Sequence, residues 1–134
     1  MIEARQGKEI VVRVKNRIGL LFELSRLISE KGVGILAVTS DVSGKDCVVR
    51  LVTDDNLRAA EALTEYNYLV HEENVILIQL PHKPGMLKRI TEALALQEID
   101  IRHLYATALP GQDKCFLVLR TSNDEYALPR LNRA

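Results

Sequence analysis

A short turn occurs twice in this chain, each time between a strand-patterned run and a helix-patterned one. The first follows Ile10, Val11, Val12, Arg13 and Val14 and reads Asn16-Arg17-Ile18-Gly19-Leu20-Leu21. The second follows Val75 to Leu80 and reads His82-Lys83-Pro84-Gly85-Met86-Leu87. The two glycines stand 66 residues apart, and the same offset carries Leu20, Leu21, Leu24, Leu27 and Ile28 onto Met86, Leu87, Ile90, Ala93 and Leu94. Two residues inserted around Pro110-Gly111 raise the offset to 68, which places Cys47 on Cys115, Leu51 on Leu119 and Thr53 on Thr121. Agreement at so many positions marks one supersecondary unit used twice.

Each copy reads the same way along the chain. Residues 9 to 15 alternate as a half-buried strand does, with Ile10, Val12 and Val14 on one face. From Ile18 to Lys31 the apolar residues recur at helical spacing, and Gly32 supplies a left-handed stop. Val33 to Val42 and Asp46 to Thr53 form a hairpin about Ser43-Gly44-Lys45. Thr53-Asp54-Asp55-Asn56 offers caps to a helix ending near Tyr66, with Leu57, Ala60 and Leu63 near one face, and a short strand from Tyr68 to His71 closes the copy. Glu72-Glu73 reads as a solvated connector.

The second copy repeats the pattern with a strand at Val75 to Leu80, a helix from Pro84 to about Gln97, and strands at Asp100 to Leu109 and Lys114 to Thr121. A weak helix follows Ser122-Asn123-Asp124, Pro129 is expected to interrupt it, and no residues remain for a last strand. The expected fold class is therefore α+β: two tandem ferredoxin-like βαββαβ units with antiparallel sheets, residues 1–72 and 73–134, the second lacking its last strand. That leaves an unpaired sheet edge, to be covered by the first copy's final strand or by a second chain.

Composition narrows the function. The chain has 134 residues, 47% of them hydrophobic, enough for a packed core. Eighteen basic residues balance eighteen acidic ones, and aromatics are only 4%, so neither a cationic field nor a base-stacking surface points to nucleic acid. No apolar run is long enough for a bilayer span and the amino terminus has no apolar signal region, so the expectation is a cytoplasmic protein with no membrane partner. Cys47 and Cys115 sit at equivalent strand positions and read as small interior hydrophobes. His71, His82 and His103 are scattered without zinc spacing, and Ser43-Gly44-Lys45 lacks the upstream glycine of a phosphate loop. Neither a Gly-x-Ser-x-Gly elbow nor His-Glu-x-x-His occurs, so no catalytic residue, metal or cofactor is expected. Arg50 and Arg120 lie on strands opposite the cysteine face, suited to solvent or to an interface with a second sheet.

A βαββαβ unit with Asn or Asp, two residues, Gly, one residue and Leu at its first strand-to-helix turn resembles the ACT domain. Asn16 to Leu21 fits that pattern in full; in His82 to Leu87 the histidine replaces the amide or acid. The resemblance implies a non-catalytic regulatory module that binds an amino acid at interfaces between units. The turns themselves suit a carboxylate, because the first amides of a helix lack intrahelical partners and carry partial positive charge. Candidate ligand-binding residues are Asn16, Arg17, Ile18, Gly19 and Leu20, and His82, Lys83, Pro84, Gly85 and Met86. Asn16 would either cap the helix or bond the ligand's ammonium group, Arg17 or Lys83 would add charge, and Ile18, Leu20 and Met86 lean toward an apolar amino acid. A homodimer is expected, with output to a partner enzyme or regulator. The alternative is a ligand-free subunit acting through protein contacts.

Overall fold

The computed structural model describes residues 1–134 as ten elements: β1 (Glu3–Lys15), α1 (Leu20–Glu30), β2 (Ile35–Ser43), β3 (Asp46–Thr53), α2 (Asn56–Glu65), β4 (Val70–Pro81), α3 (Met86–Leu96), β5 (Ile101–Thr107), β6 (Lys114–Thr121) and α4 (Asp124–Asn132). They form two compact units, Lys8–Glu73 and Asn74–Ala134 together with Met1–Gly7. Both β1 and β4 are long strands that contribute one part to each unit.

In the first unit, Lys8–Glu73, the strand order is β2-β3-β1-β4. Ile10, Val12, Cys47, Val49 and Leu51 share one sheet face with Leu20, Leu24, Leu27 and Ile28 of α1 and Ala59 and Leu63 of α2. The antiparallel register Ile10↔Leu51, Val12↔Val49 and Val14↔Cys47 puts the alternating apolar residues on that face, as the sequence pattern requires. On α2 the buried residues are Ala59, Ala62 and Leu63, whereas Leu57 is exposed. Of the expected face, Leu63 is in the core and Ala60 packs against it, and Leu57, in the first turn of the helix, points to solvent.

The opposite face of this sheet holds a buried ion pair. Arg50 on β3 donates to Glu9 on β1 at 2.9 Å and to Glu73 on β4 at 2.6 Å, and Glu9 is wholly buried. Arg50 is therefore not solvent-facing but buried against two glutamates of its own unit. Glu73 belongs to an ordered strand, so Glu72-Glu73 is not a solvated connector. Burial works against the Arg50 cation, but the hydrogen bonds to Glu73 and Glu9 outweigh it and hold its pKa above the ordinary arginine value.

The second unit has the order β1-β4-β6-β5. Its core joins Ile76, Ile78 and Leu80 of β4, Leu117 and Leu119 of β6, Met86, Ile90 and Leu94 of α3, and Ala127 and Leu131 of α4. The core also contains Ile2, with Ala4 packed against it. Residues 1–7, expected to open the first unit, thus stand where the second unit's missing last strand would be. The sheet edge is covered by the amino-terminal strand, rather than by the first copy's final strand or a second chain. The Asn132 side chain fastens it, accepting from the Ala4 amide at 2.8 Å and donating to its carbonyl at 3.0 Å.

Two local features explain how this unit closes. Pro129 does not break α4: the proline is exposed, so the Glu125 carbonyl it leaves without an intrahelical donor can bond water, while Ala127 and Leu131 anchor the other face. Gly7 is needed where β1 passes Leu77, since a Cβ there would lie 2.6 Å from Leu77 Cδ1 and 2.9 Å from Cγ. Leu77 is only 4% exposed and has little room to yield. Gly7→Ala is accordingly expected to cost about 1–3 kcal/mol in urea unfolding; an unchanged midpoint would mean that Leu77 repacks freely.

Repetition extends to chemistry the apolar pattern does not carry. Thr53 donates to Asn56 Oδ1 and Thr121 to Asp124 Oδ1, both at 2.6 Å. Asp55 caps α2 through the Arg58 amide and Asn123 caps α4 through the Tyr126 amide. Both cysteines are free, with Cys47 in one core and Cys115 packed against the other.

Candidate functional site

The two glycine turns have the same backbone. Asn16 leaves the sheet by donating its amide to the Lys45 carbonyl at 2.7 Å, as His82 does to Asp113 at 2.9 Å. Gly19 then adopts φ 87°, ψ 2° and Gly85 φ 91°, ψ −6°. This left-handed conformation strains any residue with a Cβ, which is why the sequence places glycine there. The first intrahelical bonds run from Glu23 to Gly19 and from Arg89 to Gly85, each at 3.0 Å, while the Leu20 and Met86 amides turn back to the Arg17 and Lys83 carbonyls at 3.3 and 3.4 Å.

That arrangement leaves the amides of Leu21 and Phe22 in one turn, and of Leu87 and Lys88 in the other, without intrahelical acceptors. No side chain caps either helix. The contrast with α2 and α4, each capped by its own Asp or Asn, shows that this fold supplies caps at its other two helix starts. Above both glycines there is open space: a Cβ at either position would meet no atom within 4 Å.

The candidate residues divide into three groups. Asn16, Ile18 and Gly19 are exposed on the first turn, and His82, Lys83, Pro84 and Gly85 on the second. Asn16 does not cap α1, so of its two expected roles only that toward a ligand stays open. Leu20 and Met86 place their side chains in the two cores at 3% and 5% exposure, so they offer a ligand only their backbone. The inference of an apolar ligand therefore loses two of its three supports and keeps Ile18. Arg17 is occupied: its Nη2 donates to Glu23 Oε1 at 2.8 Å and to the Tyr68 hydroxyl at 2.9 Å, and the Tyr68 hydroxyl in turn donates to Glu23. Arg17 therefore adds no unpaired charge to the first turn.

Glu23 and Tyr68 escaped the sequence reading, since Tyr68 lies 51 residues from Arg17. Only the acidic residue in the first turn of α1 gave a local signal. Hydrogen bonding from Tyr68 is the leading cause that holds the Glu23 carboxyl below its ordinary pKa, against some burial and with help from Arg17. Burial first, then the bond to Glu23, pushes the Tyr68 phenol up.

The fold and its paired turns define a tandem ferredoxin-like protein with two equivalent helix-start sites. The sequence profile of the ACT domain pair matches residues 7–130, and the chain belongs to that family. An ACT domain pair is a regulatory, ligand-binding module and not a catalytic one. Among solved structures, a protein from Bacteroides thetaiotaomicron superposes with a TM-score of 0.89 at 22% identity, over 97% of this chain and 89% of that one. The ligand-free regulatory subunit of aspartate kinase from Thermus thermophilus gives 0.67 at 13% identity, over 99% and 95%. Aspartokinase III of E. coli, in complex with aspartate and ADP, gives 0.61 at 15% identity, over 98% of this chain and 32% of that one. At these identities the likeness is one of fold. No curated protein matches the chain. No helix is long and apolar enough to cross a membrane.

Proposed function

We propose that this chain is an amino-acid sensor whose glycine turns take the ligand's α-carboxylate on the free amides of α1 and α3. The observation that carries this reading is the pair of identical, uncapped, unobstructed helix starts in a chain that caps its other two helices. On the first turn, Asn16 accepts a hydrogen bond from the ligand's ammonium group through its amide oxygen, and Ile18 lies beside the ligand side chain. On the second, His82 and Pro84 take the corresponding places.

The output of such a module passes to another protein chain. A ligand can favour one assembly only by its differential affinity, typically about 1–3 kcal/mol of coupling. A homodimer is the proposed assembly, and a partner enzyme the proposed recipient. One observation favours a second reading, a subunit that works by protein contact alone. Leu36, Val38 and Val42 on the edge strand β2 are about half exposed, an apolar strand edge open to another chain.

A thermal-shift screen against the twenty standard amino acids, with mass followed by light scattering, separates the two. At 100 times its dissociation constant a ligand stabilises by about 2.7 kcal/mol, which is several degrees for a chain of this size. The expected result is a shift for one amino acid that Gly19→Asp or Gly85→Asp diminishes, because a carboxylate over the amides repels the ligand's own. A dimer that none of the twenty stabilises would leave the contact-only reading in place.

A further inference from the structure

We infer that Tyr68 is a positioning residue for the first glycine turn, holding it in its ligand-ready shape through Arg17 and Glu23; this rests on the reading that the turn binds an amino acid. The turn is otherwise poorly restrained. Asn16, Arg17, Ile18 and Gly19 are all exposed, Ile18 completely, and nothing packs above Gly19. The ring of hydrogen bonds joining Arg17, Glu23 and Tyr68 is the side-chain restraint that ties the turn to its helix and to a second element.

That second element is firmly placed. Tyr68 follows Asn67, a left-handed residue at φ 64° that ends α2, and the Tyr68 amide donates back to the Leu63 carbonyl at 3.2 Å. The ring itself packs against the first unit's core. Its hydroxyl thus reaches the turn from a fixed base, and the hydrogen-bonded ring spans Arg17 in the turn and Glu23 on α1. Ordering an exposed loop before the ligand arrives removes part of the entropy that binding must otherwise overcome. Because Arg17 is paired with Glu23, its work is to shape the turn, and the ligand carboxylate is read by the amides.

The second turn has no such ring. At the repeat offset of 66 residues, Arg17 and Glu23 fall on Lys83 and Arg89, which provide two cations and no carboxylate to close a ring. Loss of the Tyr68 hydroxyl should therefore affect one turn and leave the other unchanged, a difference that general loosening of the fold would not produce.

The test is calorimetric titration with each of the twenty standard amino acids, using Gly85→Asp to isolate the first turn and Gly19→Asp to isolate the second. Adding Tyr68→Phe is expected to weaken binding at the first turn about three- to tenfold, the worth of a hydrogen bond or two. Binding at the second turn should not change. Glu23→Gln, which keeps an acceptor for Tyr68, should fall between the two. Equal first-turn affinity with Tyr and Phe, or equal losses at both turns, would overturn the positioning role while leaving the sensor reading intact. If Gly85→Asp protein binds none of the twenty, the first turn is not an amino-acid site and the inference falls with that reading.

Discussion

Replacing Arg50 with alanine is expected to destabilise the first unit by about 3–5 kcal/mol, the usual cost of removing one partner from a buried ion pair. Arg50 is 9% exposed and serves Glu9 and Glu73 through one nitrogen, Nη1. Without it, the wholly buried Glu9 carboxylate loses a cationic partner in surroundings from which water is largely excluded. Urea unfolding followed by circular dichroism measures the effect. A loss under about 1 kcal/mol would place this pair with exposed ones, whose worth is in that range. Arg50→Met in combination with Glu9→Leu should recover much of the loss, since a well-packed apolar replacement for a buried pair is often neutral.

The second large effect is expected from the amino terminus. Deleting residues 2–7 uncovers the edge of β4 and removes Ile2 and Ala4 from the core of a unit whose remaining residues begin at Asn74. Hydrogen exchange should show the amides of β4, β5 and β6 losing protection while the β1–β3 and β2–β3 ladders of the first unit keep theirs. Ile2→Ala is the milder form: Ile2 is 5% exposed, and truncating a buried isoleucine costs about 2–5 kcal/mol. Unchanged protection in the deletion protein would mean that the second unit stands without its fourth strand.

These two sites also show where the sequence reading stopped. Arg50 alternates correctly on its strand, so its face could be read, but its partners lie 41 and 23 residues away and no periodicity connects them. For the same reason Glu73 read as part of a solvated connector and nothing singled out Glu9. Met1 to Gly7 has no strong strand alternation, and it is held by packing on the second core, through Ala4 in the strand and Ile2 just ahead of it. Pro129 shows the reverse error. Helix propensity argued for a break, and burial of Ala127 and Leu131 with an exposed proline overrode it.

At the turns, the local part was legible and the distant part was not. A left-handed position needs glycine, and the helix that follows must present free amides, so Gly19 and Gly85 located both candidate sites from residue type and spacing alone. Whether Arg17 faced a ligand or Glu23 depended on Tyr68, which only the end of α2 brings within reach.

The chain's own pattern thus determined the repeat, the βαββαβ order, the helix-facing side of each sheet and the place of the glycine turns, because each follows from periodicity or backbone conformation within a few residues. Tertiary structure decided the rest. It set residues 1–7 on the second unit's open edge, buried Arg50 between two glutamates and closed the Tyr68 ring over one turn and not the other. Those outcomes depend on which distant surfaces meet, and the energy of a hydrogen bond or an apolar contact across dozens of residues leaves no periodic trace in the order of the amino acids.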